Sequence, residues 1–338
     1  MNSLSEANTK FMFDLFQQFR KSQKNNTFYS PISITTALGM VLLGARDNTA
    51  QQINKVLHFD QVPENTTEKA ATHHVDRSGN VHHQFQKLLT ELNKSTDAYE
   101  LKIANKLFGE KTYQFLQEYL DAIKKFYQTS VESVDFAKAP EESRKKINSW
   151  VESQTNEKIK NLLPDGSIGK YTTLVLVNAI YFKGQWQSKF NKENTKEEKF
   201  WPNKLEEKLT AEKLLEWTSL QNMREAHVDL HLPRFKVEES YDLKDTLRNM
   251  GMVDIFNGDA DLSGMTGSRG LMVSEVLHRA FVEVTEEGAE ATAATAVVTG
   301  FLSPLLTNEE FHCNHPFLFF IRQNKTNSIL FFGRFSSP

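Results

Sequence analysis

Apolar residues recur three and four apart through the first half of the chain. Phe11, Met12, Leu15, Phe16 and Phe19 mark one face of a helix over residues 8–20. Residues 33–44 are apolar around most of a helical circumference. They predict a buried helix that opens after Pro31, with Ser33 as its cap. Shorter helical patterns cover 48–57, 81–92 and 114–127. Residues 147–163 carry Ile147, Trp150, Val151, Ile159, Leu162 and Leu163 on one face, and Pro164-Asp165-Gly166 stops them. Between these lies 61–79, a polar stretch with Pro63 and Gly79 that reads as a long exposed loop.

Strand patterns interrupt and then follow the helices. Residues 172–182 form a near-continuous β-branched and apolar run, expected of a strand buried on both faces, and 183–186 read as the turn after it. Residues 101–108 predict another strand. Later, 198–201, 227–235, 237–239, 281–285, 317–321 and 329–335 alternate like strands, and the last two are joined by a turn at 324–327. Helices are expected over 205–217 and 242–250, the second closed by Gly251. The layout is α+β: helices first, then strands with a few helices.

Composition narrows the function. Of 338 residues, 39% are hydrophobic and 25% charged, with 25 phenylalanines to fill a large core. A net charge of -3 gives no field for nucleic acid or an anionic membrane, and neither is expected as a partner. The single cysteine, Cys313, forbids an intrachain disulfide and is expected to be buried and structural. The first residues show no secretory pattern, so a cytoplasmic protein is expected, and release from the cell would need another route.

No catalytic set is present. There is no G-x-S-x-G elbow and no H-E-x-x-H. Gly166-Ser167-Ile168-Gly169-Lys170 resembles the tail of a phosphate loop, but Pro164 replaces the earlier glycine and Tyr171 the hydroxyl residue after the lysine. His73, His74, His82 and His83 cluster in sequence, yet they fall in or beside the polar loop without cysteine, so no metal or other cofactor is expected. The chain does not read as an enzyme.

The unusual segment is 285–307, TEEGAEATAATAVVTGFLSPLLT. It is long and lacks a helical face. Its alternation suits a strand: Ala289, Ala291, Ala293, Thr295 and Val297 form one small, uncharged face, while Glu290, Thr292, Ala294, Ala296 and Val298 form the other. At its far end stand Phe301 and Leu302, two large apolar residues before Ser303-Pro304. Such side chains in an exposed loop suit the specificity pockets of a protease.

The run from Glu286, Glu287 and Gly288 through Ala289, Glu290, Ala291, Thr292, Ala293, Ala294 and Thr295 resembles the hinge of the serpins. FYSPIS (28–33), NAIYFKGQW (178–186), HLPRF (231–235), DLSGMT (261–266) and NHPFLFFI (314–321) resemble other serpin segments, in order. The likeness runs end to end and falls in the ovalbumin-like branch, nearest the squamous cell carcinoma antigens. It implies a single-use protease inhibitor. The protease cuts the loop, and the hinge inserts into the central sheet A while the protease is still acylated. Counting fourteen residues from Gly288 puts the cut at Leu302–Ser303, with Phe301 beside it; chymotrypsin-like serine and papain-like cysteine proteases both remain as partners. The resemblance further implies a latch under sheet A from Ser30, Ser33, Asn178 and His278, and an entry point for insertion at Trp186 and Arg234, where Arg234 pairs with Glu286.

One departure stands out. After Lys204 the family continues with several strands of two further sheets, whereas here Leu205-Glu206-Glu207-Lys208 follows at once and resembles a later helix. A single serpin domain over 1–338 is therefore expected, with an internal deletion at the 204/205 junction and sheets B and C incomplete. Residues 317–321 and 329–335, apolar on both faces, would then be exposed. The expected result is a monomer prone to aggregation or polymerisation. The alternative is a truncated, non-inhibitory relative whose loop is cut as a simple substrate.

Overall fold

The computed structural model describes residues 2–22, 25–63, 79–201, 209–219, 221–288 and 309–338. The reactive segment from Ala289 onward, with Phe301, Leu302 and Ser303, lies outside the described residues, as does the 204/205 junction.

The helices come first: α1 (Asn2–Ser22), α2 (Pro31–Gly44), α3 (Asp47–Val56), α4 (Gly79–Leu92), α5 (Gln117–Tyr127) and α6 (Pro140–Gln154). Strands lie among them: β1 (Thr27–Tyr29), β2 (Tyr99–Glu110) and β3 (Val131–Val134). Then follow β4 (Leu174–Gly184), α7 (Ala211–Trp217), β5 (Val228–His231), β6 (Phe235–Asp242), α8 (Lys244–Met250), α9 (Ser263–Thr266), β7 (Glu275–Val284), β8 (Glu309–His312), β9 (Phe317–Gln323) and β10 (Ser328–Phe335).

Three sheets form among the described residues: five strands in the order β3-β2-β4-β7-β6, three in the order β1-β10-β9, and the pair β5-β8. At the centre of the first, β4 and β7 run parallel, Val175 opposite Glu275 through Tyr181 opposite Phe281. The side chains of β4 alternate between two cores. Leu174, Leu176 and Ile180 face the core around α2, while Val175, Val177 and Ala179 pack with Ile147 and Val151 of α6. This two-sided cover is why the strand reads as a continuous apolar run.

Several expectations need correction. The cap of α2 is Ser30, not Ser33: its hydroxyl accepts from Ser33 N–H, and Pro31 takes the first helical position, where no donor is needed. α6 ends at Gln154 rather than at 163. The Thr155 hydroxyl donates to Val151 O at 2.8 Å, and Asn156, Glu157 and Asn161 take positive φ. Residues 159, 162 and 163 are buried even so, because Arg144 and Asn148 both donate to Leu163 O at 2.9 Å and hold the chain back against the helix. Residues 198–201 form no strand; Trp201 N–H donates to Asn314 O, outside any ladder. Residues 183–186 are not a turn: β4 continues to Gly184, and Gln185 bridges to Gly288. β10 is buried along its whole length, so only β9 is left half-exposed at all seven residues.

Candidate functional site

The middle of the five-stranded sheet carries a row of polar side chains. Strand register sets Asn105 opposite Asn178, Asn178 opposite His278, and His278 opposite Tyr241. On β4, Asn178 shares its face with Leu176 and Ile180, so it points into the core at the start of α2. A polar row there must be fully paired or it destabilises the fold.

It is paired in one chain of bonds. Ser30 N–H donates to His278 Nε2 at 3.0 Å. His278 therefore carries its proton on Nδ1, which donates to Asn178 Oδ1. The Asn178 amide then donates to Ser33 O at 3.0 Å and to Asn105 Oδ1. Ser30 Oγ donates to Leu330 O at 2.5 Å, which ties the row to β10. Tyr241 extends it by accepting Phe28 N–H at 3.2 Å. His278 is fully buried, and burial lowers its pKa to about 3, so the ring stays neutral. Thus Ser30, Ser33, Asn178 and His278 meet as expected. Asn105 and Tyr241 join them unforeseen. A signal was present for Asn105, a polar residue at inward parity in the apolar stretch 101–108.

A second constellation stands at the end of the parallel pair. Trp186 Nε1–H donates to Thr285 O at 2.9 Å, and Phe190 N–H donates to Glu286 O at 2.9 Å. The Trp186 and Phe190 rings meet edge to face, 5.6 Å apart. Glu286 is buried and accepts from the Thr195 hydroxyl at 2.9 Å. Its own backbone N–H, then Thr195, hold its carboxyl below the usual range. Arg234 reaches the same carboxylate at 3.7 Å, the pairing expected, and Lys192 pairs with Glu287 at 2.6 Å. Gly288 has φ +89°, and a Cβ there would lie 2.4 Å from Gly184 O. Only glycine fits this close approach.

Beside this second constellation opens a cavity of about 430 Å³ whose walls include Tyr181, Phe182, Phe281, Arg234 and Glu286. On the face of β7 opposite His278, Arg279 donates to Lys160 O at 2.6 Å and to Glu238 at 2.5 Å, tying the turn after α6 to the sheet. Cys313 is buried as expected, and burial pushes its thiol pKa up. Among the described residues no group of three or more side chains could hold a metal, and no helix is long and apolar enough to cross a membrane.

The profile of the family described as Serpin (serine protease inhibitor) matches residues 6–204 and 202–338. The chain belongs to the serpin family. It is 77% identical to Serpin B3 and to Serpin B4 of Homo sapiens, each over 390 aligned positions that cover 100% of both chains. This places it in the ovalbumin-like branch, with the squamous cell carcinoma antigens. The crystal structure of uncleaved ovalbumin matches it with a TM-score of 0.85 at 34% identity, covering 99% of this serpin and 100% of ovalbumin. In serpin terms, the five-, three- and two-stranded sheets correspond to sheets A, B and C. The alignments span 390 positions against 338 residues here, so these relatives carry residues without a counterpart in this serpin.

Proposed function

We propose that this serpin inhibits proteases as a suicide substrate, cut at Leu302–Ser303, with the hinge from Glu286 through Ala289, Glu290, Ala291, Thr292, Ala293, Ala294 and Thr295 inserting between β4 and β7. The observation that carries this reading is the seam itself. β4 and β7 are parallel neighbours whose inward contact is the Asn178–His278 bond, and residues 285–288 already fold over the end of β4. A strand entering there runs antiparallel to both neighbours and satisfies its backbone with each. Its small face, Ala289, Ala291, Ala293 and Thr295, contains no charge to desolvate.

In this mechanism the Ser30, Ser33, Asn178 and His278 row acts as a latch. Separating β4 from β7 breaks the His278–Asn178 bond, while Ser30 and Ser33 remain on α2 to receive new partners. Trp186, Arg234 and Glu286 hold the entry. Each exposed polar contact there is weak, so the first residues can move before the latch yields. Leu302 suits a chymotrypsin-like pocket, and Phe301 beside it suits a papain-like one. The site of action is the cytoplasm, and the partner is the protease alone.

A second reading has its own support. The family profile matches in two pieces that meet at 202–204, where the sequence jumps, and β9 is half-exposed along its length. A single domain with an internal deletion at 204/205 accounts for both. Such a body stores less strain and is cut without trapping its protease. Incubation with chymotrypsin and, separately, a papain-like protease decides between the two. Inhibition gives a covalent complex that survives denaturing electrophoresis, with a new terminus at Ser303. Clean cleavage without a complex overturns it.

A further inference from the structure

The pair β5-β8 differs from the other two sheets in lying open at every residue: all eight are exposed. Three of them are large and apolar, with Val228 45%, Leu230 40% and Phe311 60% exposed. The parallel register sets Val228 opposite Glu309 and Leu230 opposite Phe311. Opposed side chains share a face, and so do residues two apart on one strand. Val228, Leu230 and Phe311 therefore form one apolar stripe, with Glu309 at its edge. On the other face stand Asp229, Glu310 and the stacked rings of His231 and His312, centroids 4.1 Å apart. The latch and the entry point use none of these residues. An apolar stripe rimmed by polar groups marks a contact surface.

Charge and position say what it contacts. The eight residues carry three carboxylates, Asp229, Glu309 and Glu310, and no lysine or arginine. Arg224 pairs with Glu309 at 3.0 Å, but both groups are exposed and such a pair is weak. A two-stranded sheet is one layer thick, so the carboxylates of both faces act on a partner within a Debye length. Only seven residues separate Leu302 from Glu309, the first residue of β8. Fully extended, they span at most about 25 Å. A protease domain of ordinary size is about 40 Å across, wider than that tether is long. A protease seated at Leu302–Ser303 thus has its cleft rim within reach of β8 and β5.

We propose that Val228, Leu230 and Phe311, with the carboxylates around them, form a docking surface for the protease that cuts the loop, and that the protease it fits carries apolar and basic side chains beside its substrate cleft. This deepens the reading given above and rests on the cut at Leu302–Ser303. Selection then has two parts: Phe301 and Leu302 answer to the pockets of the protease, and the surface answers to its rim. Opposite charge steers the encounter, and burial of the stripe prolongs it. The contact serves arrival rather than retention, because hinge insertion must carry the protease away from β8 afterwards.

The test measures kcat/KM for cleavage at Leu302–Ser303 by chymotrypsin, in the full chain and in a synthetic peptide of residues 295–308. Leu230→Ala with Phe311→Ala should lower the value for the chain by about tenfold, at an unchanged melting temperature, since both side chains are exposed. Asp229→Asn, Glu309→Gln and Glu310→Gln together should lower it as well and flatten its fall with rising salt. Chymotrypsin whose lysines have been succinylated, and so made acidic, should lose rate on the chain and keep it on the peptide. Equal rates for wild type and both variants, with cleavage still at Leu302–Ser303, overturn the docking surface and leave the suicide-substrate reading standing. Variant effects on cleavage without any covalent complex keep the docking surface and remove the trap. Cleavage at another bond overturns both.

Discussion

β4 and β9 are both strongly apolar strands, yet they end in opposite states. The first eight residues of β4 are buried, while all seven of β9 are half-exposed. The difference lies in their neighbours. β4 has β2 on one edge and β7 on the other, with the α2 core beneath and α6 above. Among the described residues, β9 has β10 as its only ladder partner. Apolar side chains set how much surface a strand can bury, and the elements around it set how much it does bury. The same contrast separates satisfied from unsatisfied chemistry. The polar row on β4 tolerates burial because each donor finds an acceptor. On the open side, only an added chain, ion or solvent can supply what is missing.

The strongest way to break this comparison is to empty the centre. Asn178→Ala removes one acceptor and the amide that serves Ser33 and Asn105, and it strands the His278 Nδ1 proton. Each orphaned buried group costs about 1–3 kcal/mol, so the loss reaches about 4 kcal/mol or more in urea unfolding. A loss under about 1 kcal/mol would mean that water already reaches the row.

Acid tests the same row more gently. His278 stays neutral in the fold down to about pH 3, whereas an unfolded histidine takes up a proton near 6.5. Stability from this group is complete above pH 6.5 and falls by about 1.4 kcal/mol per unit as pH drops toward 3. Glu275 works the other way. Burial first, and then Asp242, raise its carboxyl pKa to about 7, so protonation between about 7 and 4.5 favours the fold. The two oppose each other in one window, and the wild-type curve hides both. The difference between wild type and His278→Asn isolates the histidine: about 2 kcal/mol should separate pH 6.5 from pH 5. Parallel curves for the two proteins would show that the ring is solvated.

The sequence makes the burial of this centre legible and leaves its geometry partly hidden. Residues 172–182 were readable as a strand covered on both sides, because an apolar run without alternation has no other use in a sheet. Residues 159, 162 and 163 show the limit. Their spacing correctly placed them with Ile147 and Val151 in one core but wrongly continued the helix, since the clamp from Arg144 and Asn148 onto Leu163 O is a tertiary contact with no local signature. The cap of α2 was misplaced by three residues for a similar reason. Ser30 and Ser33 are both plausible caps in sequence, and only the bond from Ser33 N–H to Ser30 Oγ separates them. The latch residues were reachable through family resemblance, whereas the His231–His312 stack depends on the register of two strands far apart in sequence. No local pattern encodes that register.

The smallest effect is expected where β9 meets β10, and a double substitution makes it informative. The Phe319 ring covers Gly333, and a Cβ at Gly333 would lie 2.4 Å from it. Phe28 stacks on Phe319 at 5.8 Å from the other side. Phe319 is half-exposed, so Phe319→Ala should cost about 1–2 kcal/mol, well short of the 3–5 kcal/mol typical of a fully buried phenylalanine. Gly333→Ala alone forces the ring aside and destabilises. In the Phe319→Ala background the same methyl enters vacated space, and its penalty should shrink or change sign. Thermal unfolding of the four proteins measures that coupling. If Phe319→Ala costs as much as a buried core position, or if the two changes simply add, then the outer strand is covered in solution by something that β10 and β1 do not provide. The contrast between the closed centre and the open flank would then lie in the partner, not in the fold.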